Sequence, residues 1–195
     1  FVLVKRLFSV DKLLVKEKES IGNLSVAEEE AKGLMDLYGV RPYLKGDLFF
    51  DLLLYYPPVH VFGKGEETYY LLKIGELLGF DVFIHEPSER VKIKEGSFVV
   101  IANHNIKADR LSLKWALMSS ASYIGVVSSK KRFLKLSEGL EIDDRVYCPA
   151  GLDLGSFTPE EVAFSIMAEI LKIHWRKTGE SLKKVKQEVT HGASH

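Results

Sequence analysis

A single cysteine, Cys148, stands in the chain of 195 residues. It cannot close an internal disulfide, and it excludes a multi-cysteine metal cage within one chain. A reducing, cytoplasmic setting is the expectation. Net charge is missing as well, since 27 Lys and Arg balance 27 Asp and Glu. No overall field draws the protein to nucleic acid or to an anionic membrane, and neither is expected as a partner. Long apolar runs are also lacking. The most apolar stretch, 48–62, is broken by Asp51, Pro57 and Pro58 and is too short to cross a bilayer. There is no repeat, no low-complexity segment and no metal-ligand spacing; the six histidines are scattered, and no Ser-His-Asp arrangement can be assigned. The chain opens on Phe1 rather than methionine, as a sequence with residues upstream would.

What is present is a hydrophobic fraction of 46%, enough for a substantial core. The chain is organised around 59–109. An apolar strand, Val59–Phe62, runs into Gly63-Lys64-Gly65-Glu66-Glu67-Thr68 and then into a helical pattern of Leu71, Leu72, Ile74, Leu77 and Leu78 closed by Gly79. A second strand, Asp81–His85, ends in Glu86-Pro87. This β-turn-α-β order predicts an α/β fold: a Rossmann-like, doubly wound, mainly parallel sheet. Gly63 suits a tight turn off the strand. Gly65 lets a phosphate approach the helix N-terminus, where Glu66 follows and free N–H groups favour an anion. Glu86 lies about 20 residues on, where the dinucleotide fingerprint places an acid for ribose hydroxyls. Thr68 occupies the place of the third glycine. A plain strand-to-helix turn is the simpler reading of these glycines; the acid at 86 favours a nucleotide-like ligand.

Three regions are expected: a small α+β N-terminal region at 1–56, a Rossmann-like domain at 57–178 and a polar tail at 179–195. In the first, two strands are expected within 1–23. Ser25-Val26-Ala27-Glu28 has a capping-box pattern that opens a helix through Leu37, and Lys45-Gly46-Asp47 marks a hairpin. In the second, Phe98–Ala102 and Tyr123–Val127 read as buried parallel strands, with Val146-Tyr147 a last short one. Asp109 is positioned to start the helix through Leu113 and Trp115. Thr158-Pro159-Glu160-Glu161 combines cap, first-turn proline and capping-box acid, so a helix should run to about Trp175.

Each apolar strand ends in polar residues, and in open α/β sheets ligands bind outside those carboxyl ends. The candidates are Asn103, His104 and Asn105 after the third strand, Ser128, Ser129 and Lys130 after the fourth, and Gly151 and Asp153 after the last. His104 admits two readings, a polar cap on a strand end, with Asn105 or Asp109 starting the next helix, or an imidazole facing the crevice. The Ser128–Arg132 run reads either as an anion site or as a solvated helix end. Asp153 could contact the ligand or brace its turn. Cys148 reads as a buried, inert thiol.

From Pro57 to about Ile173 the chain resembles the Rossmann domain of the XdhC/CoxI family, accessory factors for molybdenum hydroxylases. The resemblance is carried in order by Val59-His60-Val61-Phe62-Gly63-Lys64-Gly65, by Leu78-Gly79-Phe80-Asp81-Val82 through Glu86-Pro87, and by Asn103-His104-Asn105 with Asp109. It continues through Tyr123-Ile124-Gly125-Val126-Val127-Ser128-Ser129-Lys130 and, most specifically, Pro149-Ala150-Gly151-Leu152-Asp153-Leu154-Gly155 with Thr158-Pro159-Glu160-Glu161 and Ala168-Glu169-Ile170. It implies a non-catalytic chaperone that binds the molybdenum cofactor, molybdopterin or its dinucleotide form. It also implies a cysteine desulfurase and a xanthine dehydrogenase-like molybdenum hydroxylase as partners, and leaves a homodimer open. Thr68, Glu86, Ser128, Asn103 and Asn105 depart from the family pattern, and the family's N-terminal motifs have no counterpart in 1–56. An NAD(P)-binding oxidoreductase or nucleotide-sensing domain is the alternative that the Rossmann unit alone would imply.

Overall fold

The computed structural model describes residues 2–6, 12–16, 19–22, 43–52, 56–87 and 89–185. The helix expected from Ser25 to Leu37 lies outside them. The chain forms two compact units, 1–55 and 56–195.

The first unit holds an antiparallel sheet of β1 (Val2–Arg6), β2 (Lys12–Lys16), β3 (Glu19–Gly22), β4 (Tyr43–Lys45) and β5 (Leu48–Leu52), in the order β3-β2-β1-β5-β4. Three strands rather than the expected two fall within 1–23, because Glu19–Gly22 pairs back along β2. The hairpin at Gly46-Asp47 forms as read, with Gly46 at φ 62, a conformation that favours glycine. Val4 and Phe50 face each other across β1 and β5 and are both buried.

The second unit is a five-stranded, wholly parallel sheet of β6 (Val59–Gly63), β7 (Val82–His85), β8 (Phe98–Ala102), β9 (Tyr123–Val126) and β10 (Val146–Tyr147). Four helices connect or follow these strands: α1 (Glu66–Leu77), α2 (Ile106–Leu117), α3 (Lys130–Ser137) and α4 (Pro159–His174). Every residue of β6, β8 and β9 is buried. That explains their mostly apolar sequence, interrupted only by His60 in β6, since a strand covered on both faces has no solvent side to alternate with. Val59, Val61, Phe98 and Val100 pack with Leu71 of α1 and with Ala163, Ile166, Met167 and Ile170 of α4. Their strand neighbours Phe62, Val99, Ile101, Ile124 and Val126 pack the other way, with Leu113 and Ala116 of α2 and Leu136 of α3. The result is three layers, helices on both faces of the sheet.

The strand order is β10-β9-β8-β6-β7. Taken in chain order within the unit it is 2-1-3-4-5, the flavodoxin-like variant of the doubly wound fold, whose switch point lies between β6 and β8. The chain leaves β6 towards one edge and returns to build the other side from β8. The loops after β6 and β8 therefore diverge, and a crevice opens between them at the carboxyl end of the sheet.

Two helix starts are informative. Thr158 Oγ1 accepts from Glu161 N–H at 3.4 Å, and Glu161 accepts from the N–H groups of Phe157 and Thr158 at 2.8 and 3.2 Å, with Pro159 in the first turn. The capping box is complete as expected. α2 starts at the earlier of the two residues its sequence offers: Asn105 is the cap, accepting from the N–H groups of Lys107 and Ala108 at 3.0 and 3.2 Å. Asp109 is instead a buried residue inside the first turns. Both positions satisfy the pattern of a short polar residue ahead of an apolar run, so sequence alone could not separate them.

Candidate functional site

Gly63 ends β6 beside the Ala102 carbonyl of β8; a Cβ on Gly63 would stand only 2.0 Å from that oxygen. Its backbone does not adopt positive φ, so close strand packing, rather than a tight turn, is what requires glycine here. Gly65 is different. It caps α1 in extended geometry, with φ −78 and ψ 177, and offers no side-chain cap. A Cβ there would meet only the far end of the Glu67 side chain, 2.6 Å away. The fold itself does not need Gly65 to lack a side chain. Its lack of a side chain leaves the α1 N-terminus open, the kind of place where an anion is favoured.

Thr68, in the first turns of α1, faces Gly63, with its Oγ1 2.9 Å from where a Cβ on that glycine would stand. It is 6% exposed, and its Oγ1 has no partner among the described residues. A cleft of about 410 Å³ opens here, lined by Gly63, Lys64, Gly65, Thr68, Tyr69 and, from β7 and its exit, Ile84 through Glu86. Lys64 Nζ reaches Glu86 Oε2 at 2.5 Å across its mouth, with both side chains exposed. Exposed pairs of this kind contribute about 0–1 kcal/mol, so Glu86 is readily released to another partner.

The structure thus brings Gly63, Gly65 and Glu86 together as their spacing suggested. Glu66 is exposed on the first turn of α1 and does not line the cleft. The other candidates extend along the sheet end on the far side of β6. Asn103, His104 and Asn105 follow β8, directly beside β6, whereas Ser128 follows β9 and Gly151 follows β10. At about 4.8 Å per strand, these loops stand roughly 5, 10 and 14 Å from the glycine turn. They form one wall. Arg132 Nη2 donates to the Asn103 carbonyl at 3.2 Å and pairs with Asp109 Oδ2 at 2.5 Å, while Nη1 reaches Ser128 Oγ at 3.5 Å. Ser129 caps α3 by accepting from Arg132 N–H at 3.3 Å, and Lys130 is exposed beside it.

Gly151 adopts φ 107, and a Cβ there would lie 2.4 Å from Ser165 Oγ. Its N–H donates to Glu169 Oε2 at 2.9 Å, and the same oxygen accepts from the Tyr123 hydroxyl at 2.8 Å. The buried Glu169 of α4 braces this loop; Asp153, expected to brace it or bind ligand, is exposed and makes no described side-chain hydrogen bond. Burial and the Glu169 carboxylate raise the Tyr123 phenol well above its usual range, so it stays a donor. Burial pushes the Cys148 thiol up to about 11, partly offset by Arg132; the thiol donates to the Ser128 carbonyl at 3.4 Å. Cys148 is therefore a neutral thiol at physiological pH, though half-buried rather than buried as its sequence suggested. Among the described residues no cluster has the makings of a metal site, and no helix is long and apolar enough to cross a membrane.

Sequence reading missed two features. One is the Asp109–Arg132 pair, whose members are 23 residues apart. The other is the imidazole pair His60–His85, with His60 Nδ1 and His85 Nε2 2.9 Å apart between β6 and β7. Nothing local announces either one.

A parallel sheet with a switch-point crevice, a helix N-terminus bare of side chain and an acid at the end of the second strand define a protein of the doubly wound α/β class. Residues 59–170 match the XdhC Rossmann domain, and the chain belongs to that family. It is 32% identical over 77 residues to a probable xanthine dehydrogenase subunit of Bacillus subtilis (strain 168), covering 40% of this chain and 23% of that protein. It is 25% identical over 149 residues to the protein YqeB of Escherichia coli (strain K12), covering 60% of this chain and 27% of that one. The chain thus spans about a quarter of the length of these relatives. A crystal structure of a xanthine dehydrogenase from Bacillus halodurans shares the fold at a TM-score of 0.64 and 20% identity, over 93% of this chain and 62% of that one.

Proposed function

We propose that this chain is the Rossmann part of an accessory factor for a xanthine dehydrogenase-like molybdenum hydroxylase, and that it holds the molybdenum cofactor across the carboxyl end of its parallel sheet. The observation that carries the reading is the family match over 59–170, which contains every loop of the crevice. The chemistry of the cleft fits one end of such a ligand. A phosphate at the α1 N-terminus would meet free N–H groups and an open Gly65. The wall from Asn103 to Gly151 supplies amide, hydroxyl and imidazole groups for a heterocycle. When bound, the cofactor supplies the molybdenum centre that the client enzyme uses; the residues here bind, orient and shield it. Delivery implies the hydroxylase as a partner, and sulfuration of the cofactor implies a cysteine desulfurase. The reading predicts that freshly purified protein releases a pterin detectable by mass spectrometry and by the fluorescence of its oxidised form. Release of NAD(P) alone would overturn it in favour of a second reading, a nucleotide-binding domain. Glu86 supports that alternative, because it stands in the glycine-turn cleft where a ribose acid belongs.

A further inference from the structure

Asp109 is 1% exposed, and one of its oxygens, Oδ2, is taken by Arg132. The other, Oδ1, is buried and has no partner among the described residues. A buried carboxylate oxygen left without a donor is costly, so an unfilled one asks for an explanation. The geometry of α2 supplies the nearest candidate. With Asn105 as the cap, His104 is the residue just before the cap and Asp109 is the fourth helical residue. Side chains at these two positions stand against each other, the arrangement that usually forms an apolar staple. At this helix start those two positions hold an imidazole, itself exposed, and a buried carboxylate. His104, after Arg132, favours the charged form of Asp109 against the burial that opposes it. Arg132 does a second job by holding the Asn103 carbonyl at 3.2 Å, which fixes the backbone that carries His104.

We propose that Asp109 is the positioning residue of His104: Oδ1 accepts the N–H of one ring nitrogen, Arg132 holds the carboxylate from behind, and the second ring nitrogen faces the crevice as a hydrogen-bond acceptor. The identity of a neutral imidazole's acceptor nitrogen is set by the bond the other nitrogen makes. The acceptor selects a ligand bearing an N–H or O–H at this point of the wall. The amide edge of a fused heterocycle provides one; a phosphate oxygen does not. This ligand class rests on the cofactor-binding reading above, whereas the His104–Asp109 pairing does not.

The test begins with protein labelled with ¹⁵N-histidine, with the His104 ring assigned by its loss in His104→Gln. Long-range proton–nitrogen spectra above the imidazole titration should show one protonated and one bare nitrogen in the parent protein. Averaging of the two, as in free imidazole, would overturn the pairing without any variant having to fold. Asp109→Asn should then reverse the tautomer, because the amide oxygen stays with Arg132 and the NH₂ faces the ring as a donor. An unchanged tautomer in a folded Asp109→Asn overturns the proposal. Molybdopterin is the probe for the second stage. Asp109→Asn and His104→Gln should each weaken it about tenfold, the worth of one good hydrogen bond, and the double variant no further than either alone. Additive losses would place the two residues in independent roles and refute the coupling. A parent protein that ignores molybdopterin refutes the cofactor reading and the ligand class with it, while the tautomer still decides the pairing.

Discussion

Gly63 and Gly65 are two residues apart and look interchangeable in sequence, yet their surroundings give them opposite sensitivities. Gly63→Ala drives a methyl group into the Ala102 carbonyl, 2.0 Å from where its Cβ must go, and neither strand can yield easily because both are buried. Overpacking of this kind typically costs 1–3 kcal/mol, so denaturant titration should show a loss of about 2 kcal/mol or more. Gly65→Ala displaces only the end of Glu67 and should leave stability within about 0.5 kcal/mol of the parent. Arg132 is sensitive for another reason. Arg132→Ala leaves a buried, charged Asp109 unpaired. Breaking a buried pair from one side costs about 3–5 kcal/mol, and the melting curve should fall accordingly. A smaller effect for Arg132→Ala than for Gly63→Ala would show that water or His104 replaces the guanidinium.

Between elements, the His60–His85 contact joins β6 to β7 and makes that pairing sensitive to acid. Burial lowers the His60 imidazole to about 4, with His85 and Lys94 adding to the effect, and His85 is lowered too, against the opposing pull of Glu89. His60 is 7% exposed and stacks on Phe83 and His85, so the folded state holds it neutral. The unfolded chain therefore takes up its proton first as pH falls. The stabilisation is complete above the ordinary imidazole range near 6.5 and is lost progressively down to about 4. The loss is on the order of 3 kcal/mol for His60 alone, since each pKa unit is worth about 1.4 kcal/mol. Urea midpoints at pH 7.5 and 4.5 should differ by that order, and His60→Leu should flatten the difference; an equally steep variant would assign the acid limb to other groups. At the start of α4, Thr158→Ala removes one half of the capping box and should cost about 1 kcal/mol, read by the same titration.

For the molecule as a whole, the strand order decides where a ligand can lie. The switch point opens the crevice beside β6 and β8, and the wall continues across β9 and β10, so a ligand anchored at Gly65 can extend along the sheet end by roughly 14 Å. A pterin carrying a phosphate or a nucleotide is long enough to use both the cleft and the wall. Gly65→Leu should leave the melting temperature near that of the parent and yet abolish retention of the ligand, because the obstruction lies in open space over the α1 N-terminus. Retention in that variant, measured by mass spectrometry of released ligand, would make the glycine turn purely structural and move the anchor to the wall.

Local sequence was sufficient for the parallel sheet and most of its boundaries. Strands buried on both faces read as nearly continuous apolar runs, and helix caps such as Thr158-Pro159-Glu160-Glu161 satisfy backbone groups within a few residues. It also located Gly63, Gly65 and Glu86 at one cleft, because the β-turn-α-β unit fixes their separation through its own short length. Tertiary structure alone decided three things. It gave Gly63 its reason, the carbonyl of a strand nearly 40 residues away. It chose Asn105 over Asp109 as the helix cap by burying the aspartate against Arg132. And it transferred the bracing of the Gly151 loop from Asp153 to Glu169 on α4. In each case the deciding contact joins groups distant in the chain, whose pairing energy depends on burial that no local window contains.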